Sequence, residues 1–281
     1  MAVSSFEIHK MFSRFWGPTP LPFKVVVFSD FDGTISNLDT LKHLLNQKAS
    51  PEWKFVEEGM ASGQIAEREG LQQAFNFLNI SFPSAMKEVF KKVSLDPSFK
   101  YFADWLDFEG HSLSVLSGGF KKLIQPLMDR EGLQSVKVLA NDVQVSGKSW
   151  KVIPCEIERL CSACNHCKSS SLFSELKKDP QTFIVYIGDG HTDICPVQLA
   201  DLVFAKGFLK TYCDQQGIES VGFDSFWDVR RELKRRLRLL NRQMIRMSAF
   251  ERRKQILDRC EAKLGWSARK FLDRAAASVA A

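Results

Sequence analysis

Asp30 and Asp32 stand one residue apart, directly after the apolar run 25–28 and just ahead of Gly33 and Thr34. Carboxylates at i and i+2 at the end of a strand can both face the crevice above a sheet. Held that close they repel, and a proton or a hard cation with oxygen ligands, Mg²⁺ above all, relieves them. In such a crevice Asp30 can attack a phosphorus atom, while Asp32 gives a proton to the leaving oxygen and later takes one from water. Gly33 frees the backbone where the chain must turn sharply.

A second acidic pair, Asp189 and Asp193, lies four residues apart across the glycine-rich turn after the apolar run 182–187. Those two carboxylates can be presented to a metal and its ordered waters. His191 between them reads as a surface neighbour and Cys195 as a packing residue. Between the two acidic pairs, Ser117, Gly118 and Gly119 end a strand-like run, 112–116, and precede a helical one. A hydroxyl with free backbone amides at a helix start is a cradle for phosphate oxygens.

The elements that must hold these residues alternate between apolar strands and helical stretches. The runs 25–28, 112–116, 182–187 and 202–205 have the length and β-branching of buried parallel strands. Strand-like runs at 136–140 and 143–145 read as a strand and a hairpin arm. From 36 to 108 the pattern is helical throughout, with Leu38, Leu41, Leu44 and Leu45 at helical spacing and Pro51 at a helix start. Trp53, Arg68 and Glu69 are the residues of this stretch to watch for substrate contact, with a packing role the commoner outcome for each.

Strand, aspartate pair, Gly and Thr, followed in order by Ser117-Gly-Gly, a lysine, and Gly188-Asp with Asp193 four on, resemble the four motifs of the haloacid dehalogenase superfamily of phosphotransferases. The resemblance implies an α/β fold, a doubly wound parallel sheet of Rossmann-like form, with a helical cap inserted after the first strand. It implies Mg²⁺ at Asp30, Asp32 and Asp189, with Asp193 a further ligand or a support behind them. Asp30, Asp32, Ser117 and Lys168 are then catalytic, and Ser117, Gly118, Gly119 and Lys168 bind the phosphate of a small phosphorylated metabolite. Lys168 opens the helical stretch before the run 182–187 and matches the third motif; Lys148 and Lys151 are the alternatives. Expected limits are an N-terminal extension at 1–23, a core at 24–35 and 109–234, a cap at 36–108 and a basic helical tail at 235–281. Pro51-Glu-Trp53, Glu69-Gly70, Cys167-Lys168, 201–205 and 224–230 further resemble the bacterial 2-hydroxy-3-keto-5-methylthiopentenyl-1-phosphate phosphatases of methionine salvage. The same chemistry on thiamine monophosphate, phosphoserine or phosphocholine is the rival reading.

Cys155, Cys161, Cys164 and Cys167, with His166 among them, invite a zinc site. Cys-x2-Cys-x2-Cys crowds three ligands into one turn, so reduced thiols are favoured over zinc. Seven cysteines with no sustained apolar segment in the first twenty residues point to a reducing, cytoplasmic setting. An organelle-targeting extension is not favoured, and no run is long enough for a membrane span. The net charge of +6 is uneven: residues 228–281 hold 16 Lys or Arg against 6 Asp or Glu, a net of +10, which leaves −4 on residues 1–227. Apolar residues at Val229, Leu233, Leu237, Leu240, Met244 and Met247 give the tail one apolar and one arginine-rich face. That pattern suits an anionic surface or a protein partner, so a basic interaction protein is the reading from another class. Every catalytic position is filled by a competent residue, which argues against it.

Overall fold

The computed structural model describes residues 21, 23–155, 164–179 and 181–243; of 241–243 it gives the backbone only. Seven strands form one sheet in the order β4-β3-β2-β1-β5-β6-β7. These are β1 (Val25–Asp30), β2 (Ser112–Phe120), β3 (Lys137–Ser146), β4 (Ser149–Ile153), β5 (Phe183–Gly188), β6 (Leu202–Ala205) and β7 (Val221–Gly222). All neighbours are parallel except β3 and β4, which form an antiparallel hairpin. β1 and β5 are buried along their whole length, which is why 25–28 and 183–187 are unbroken apolar runs rather than alternating ones.

Alternate residues of β1 serve opposite faces. Val25 and Val27 pack in a core with Leu123, Ile124 and Leu127 of helix α6 (Lys121–Arg130). Val26 and Phe28 pack in a second core with Leu172, Phe173 and Leu176 of helix α7 (Lys168–Lys178). Strand order runs one way from β1 to β2 and β3 and the other way to β5 and β6. The crevice at the carboxyl ends of β1 and β5 is therefore a switch point, where open α/β sheets bind ligands.

Five helices lie between β1 and β2: α1 (Thr40–Lys48), α2 (Trp53–Ala61), α3 (Glu67–Asn76), α4 (Phe82–Lys92) and α5 (Phe99–Phe108). Asp39 caps α1 by accepting the Lys42 amide at 2.8 Å. Trp53 is buried, whereas Arg68 and Glu69 are exposed. α5 also packs on a later part of the chain: its Phe99 and Phe102 lie against Phe226, with ring centroids 4.7 and 5.4 Å apart. Phe226 opens helix α9 (Phe226–Gln243), which follows α8 (Gly207–Gln215) and buries Val229, Leu233 and Leu237 against the sheet. The apolar face read from the tail is thus a docked stripe as far as Leu237, with Leu240 partly buried beside it. Met244 and Met247, like Cys161 and the first twenty residues, lie outside the described residues. No helix among the described residues is long and apolar enough to cross a membrane.

Candidate active site

β1 ends at Asp30, β5 ends just before Asp189, and a short 3-10 turn (His191–Asp193) brings Asp193 back under the same crevice. One carboxylate oxygen of each lies within 4.8 Å of the others, and this is the one cluster of metal-binding type among the described residues. The turn closes this tightly because of two glycines. Gly33 has φ +80°, a conformation L side chains rarely adopt, and a Cβ on it would stand 2.5 Å from an Asp189 oxygen. A Cβ on Gly188 would stand 2.5 Å from an Asp193 oxygen.

Lys168 enters from the first turn of α7 and is itself buried. Its Nζ donates to Asp30 Oδ1 at 2.6 Å, to Asp193 Oδ1 at 2.7 Å and to Thr192 Oγ1 at 2.9 Å. Burial would pull the lysine pKa down, but Asp193 and Asp30 outweigh it and hold the ammonium above its ordinary range. Asp30 moves well up, first through burial and then through the charge of Asp193, with Lys168 opposing. Burial also raises Asp189, whose Oδ1 accepts the Thr34 hydroxyl at 2.5 Å. Three carboxylates against one ammonium leave a buried excess of negative charge, and a divalent cation is what such a donor set fits.

Asp193 already accepts four bonds: from the amides of Asp189 and Gly190 at 3.0 Å each, from Tyr186 at 2.6 Å and from Lys168. It fixes the loop and the lysine, so Asp30 and Asp189 are the carboxylates with capacity left for a metal. Asp32, expected as a ligand beside them, is not in the cluster. The strand ends at Asp30, so the alternation that would aim i and i+2 the same way stops there. The Asp32 carboxylate turns instead to the Thr40 amide and hydroxyl, both at 2.7 Å, and to the Ser117 hydroxyl at 2.9 Å. Burial, and after it the charge of Asp39, lifts Asp32 to about 6.

Ser117 is fully buried near the end of β2, where the pairing with β3 shifts register between Ser117 and Phe120. Gly118 is half-buried and Gly119 buried there, and the Gly119 amide donates to the Ser117 hydroxyl at 2.8 Å. The Gly118 carbonyl accepts from Asn141 at 2.9 Å and from Asn165 at 3.0 Å. These two asparagines, Thr40 and Glu67 are site neighbours that sequence reasoning did not single out. No motif spacing marks them, although Asn165 lies three residues ahead of Lys168 and Glu67 directly precedes Arg68 and Glu69.

Other expected positions lie elsewhere. Lys148 and Lys151 are exposed on the β3–β4 hairpin. His191 is exposed and stacks on Phe208, with centroids 3.5 Å apart. Cys155, Cys164 and Cys167 are outside the carboxylate cluster, and none of them joins a metal-type group among the described residues.

A family model for the haloacid dehalogenase-like hydrolases matches residues 27–195. A 2-hydroxy-3-keto-5-methylthiopentenyl-1-phosphate phosphatase from Bacillus mycoides (strain KBAB4) is 31% identical over 214 residues, covering 75% of this chain and 96% of that enzyme. The Bacillus cereus (strain AH187) enzyme of the same name is 32% identical over 217 residues, with the same coverage. The chain spans about half, 49%, of the bifunctional enzyme MtnB/MtnX of Bacillus licheniformis, at 31% identity and 75% coverage of its own length. Among solved structures, a phospho-aspartyl intermediate analogue of phosphoserine phosphatase superposes with a TM-score of 0.57 at 19% identity, over 74% of this chain and 97% of that one. At that identity the likeness is one of fold. Both the crevice chemistry and the length of the match lead to one conclusion: the chain belongs to the haloacid dehalogenase-like hydrolases and is a phosphatase.

Proposed function

We propose that the enzyme hydrolyses a small phosphorylated metabolite through an aspartyl-phosphate on Asp30, with 2-hydroxy-3-keto-5-methylthiopentenyl-1-phosphate as the substrate. The observation that carries the chemistry is the placing of Asp30 beside Lys168 and Asp189, with Asp32 turned away from them toward Ser117. An Asp30 oxygen attacks phosphorus, and the bond from phosphorus to the leaving oxygen breaks. Asp32, whose pKa near 6 lets it carry a proton close to neutrality, protonates that oxygen. Water then attacks the aspartyl-phosphate, gives its proton to Asp32 and releases inorganic phosphate. Ser117, the Gly118-Gly119 backbone and Lys168 hold the phosphoryl oxygens and oppose their charge. Mg²⁺ held by Asp30 and Asp189 supplies further positive charge to the transferring group when bound. The cap is proposed to comprise residues 36–108 and to exclude bulk water from the crevice.

The substrate rests on the similarity to enzymes of that name along three-quarters of the chain. An apolar thioether arm would also gain from contact with aromatic side chains of the inserted helices. Comparison of kcat/KM for this compound with phosphoserine, phosphocholine and thiamine monophosphate tests it; a tenfold win by any of the three assigns a different substrate. Asp30→Asn is expected to lose roughly a thousandfold or more in kcat. Wild-type turnover by that variant, or undiminished activity in excess chelator, overturns the mechanism.

A further inference from the structure

Glu67 is the first residue of α3, and it does not serve that helix as a cap: Ala66 precedes it with no side-chain capping bond. An acidic residue in a first turn ordinarily does no more than favour the helix dipole, a role Glu69 fills equally well here. Glu67 instead reaches across the crevice. Its Oε2 accepts the backbone amide of Asn165 at 3.2 Å, a contact between positions 98 apart in sequence. Burial pushes the Glu67 carboxyl up, the Asn165 amide and then Lys168 pull it back, and Asp193 opposes them, so it lies within electrostatic reach of the site.

What Asn165 does makes the contact consequential. Its side-chain amide donates to the Gly118 carbonyl at 3.0 Å, and its side-chain oxygen accepts from Asn141 at 2.6 Å. Asn141 in turn donates to the same Gly118 carbonyl and accepts the Cys155 amide at 2.9 Å. The residues flanking the segment ahead of Lys168 are thus tied together over the phosphate cradle, and Glu67 is the link from that knot to the inserted helices. The rest of α3 is anchored on β4 by Gln72, which donates to the Trp150 carbonyl at 3.0 Å and accepts the Val152 amide at 2.8 Å. One end of α3 is therefore fixed to the hairpin, and the other meets the segment that delivers the lysine.

We infer that Glu67 is a positioning residue, the latch through which the seated cap fixes Asn165, and with it both the Lys168 segment and the Gly118 side of the cradle. The inference rests on the phosphatase reading for its effect on turnover, but not for the contact itself. Truncation leaves the Asn165 amide without its acceptor, while glutamine retains one.

The experiment compares wild type, Glu67→Ala and Glu67→Gln by steady-state kinetics and by amide hydrogen exchange on the full chain. Glu67→Ala is expected to lower kcat/KM roughly tenfold and to speed exchange in peptides covering 164–168 by a similar factor, with β1 and β5 peptides unchanged. Glu67→Gln is expected to stay within about threefold of wild type in both measurements. Wild-type behaviour of Glu67→Ala overturns the latch, as does acceleration spread equally over β1 and β5. Should the alanine variant not fold, Glu67→Asp, one methylene shorter, is expected to show the same local acceleration, and a wild-type pattern there overturns the inference. A wild-type chain that hydrolyses no phosphomonoester defeats the proposed function and the latch's catalytic effect, and the exchange arm then decides the contact alone.

Discussion

Asp32 shows how one side chain is set by burial rather than by its motif. Its folded pKa of about 6 lies above its ordinary value of 3.8, so the folded state holds the proton more tightly than the unfolded chain. Metal-free stability therefore declines as pH rises from about 4 through about 6, and stays lowered above that. Asp32→Asn removes the penalty. It is expected to add on the order of 2 kcal/mol at pH 7–8 in chelator, a gain that vanishes below about pH 4, while kcat falls about 10²–10⁴-fold. Urea unfolding across that pH range, paired with kinetics, checks both halves; a stability gain that does not vary with pH contradicts the assignment. Lys168 presents the opposite case, a buried cation whose removal strands Asp30 and Asp193. Lys168→Met is expected to cost about 3–5 kcal/mol in the metal-free protein, with part recovered when Mg²⁺ is added. Thermal unfolding with and without Mg²⁺ reads this directly, and an unchanged Tm without metal counts against the pairing.

At the scale of elements, the β3–β4 hairpin extends beyond the parallel sheet and serves as the dock for the inserted helices. Trp150 on β4 is the centre of that dock: it is 2% exposed and its indole N–H donates to the Ile80 carbonyl at 3.0 Å. Its ring lies 5.8 Å from Phe75, 5.4 Å from Phe82 and 6.2 Å from Phe120, joining α3, α4 and the end of β2. Trp150→Ala is expected to destabilise the protein by about 3–5 kcal/mol and to lower kcat/KM as well, since α3 loses its seat. Chemical denaturation together with turnover measures the two effects; a large stability loss with full activity shows that seating the helices is independent of catalysis.

For the molecule as a whole, the uneven charge separates a mildly acidic body from a basic C-terminal segment. α9 begins that segment, and its buried stripe from Phe226 to Leu237 belongs to the core. On the outward side Glu232 accepts from Arg235 and Arg236, so part of the positive charge is neutralised within the helix. Removal of residues 244–281 is expected to leave kcat/KM within about twofold, because every described site residue precedes position 194. Kinetics and sedimentation of the truncated chain check this; a collapse of turnover shows that the removed residues complete the fold.

The sequence by itself determined the parts whose information is local. An apolar run followed at once by acidic residues and glycine is readable because strand, turn and carboxylate are consecutive, and so Asp30 and Asp189 were legible as candidates, as was Ser117 at a strand end before two glycines; Lys168 was singled out only by resemblance to a family motif, with Lys148 and Lys151 as alternatives. The helical insertion was legible because its apolar residues keep a helical period over many turns. Only the tertiary structure decided which way Asp32 faces, since the strand stops at Asp30 and the turn that follows sets the direction of the side chain. Thr40, Glu67, Asn141 and Asn165 were beyond sequence reasoning for a related reason. A single polar residue carries no period, and the partners that give these four a role lie 8, 98, 23 and 47 positions away. α5 read as one more inserted helix because its pattern is that of its neighbours; its packing on Phe226 is a choice of face that only long-range burial could make.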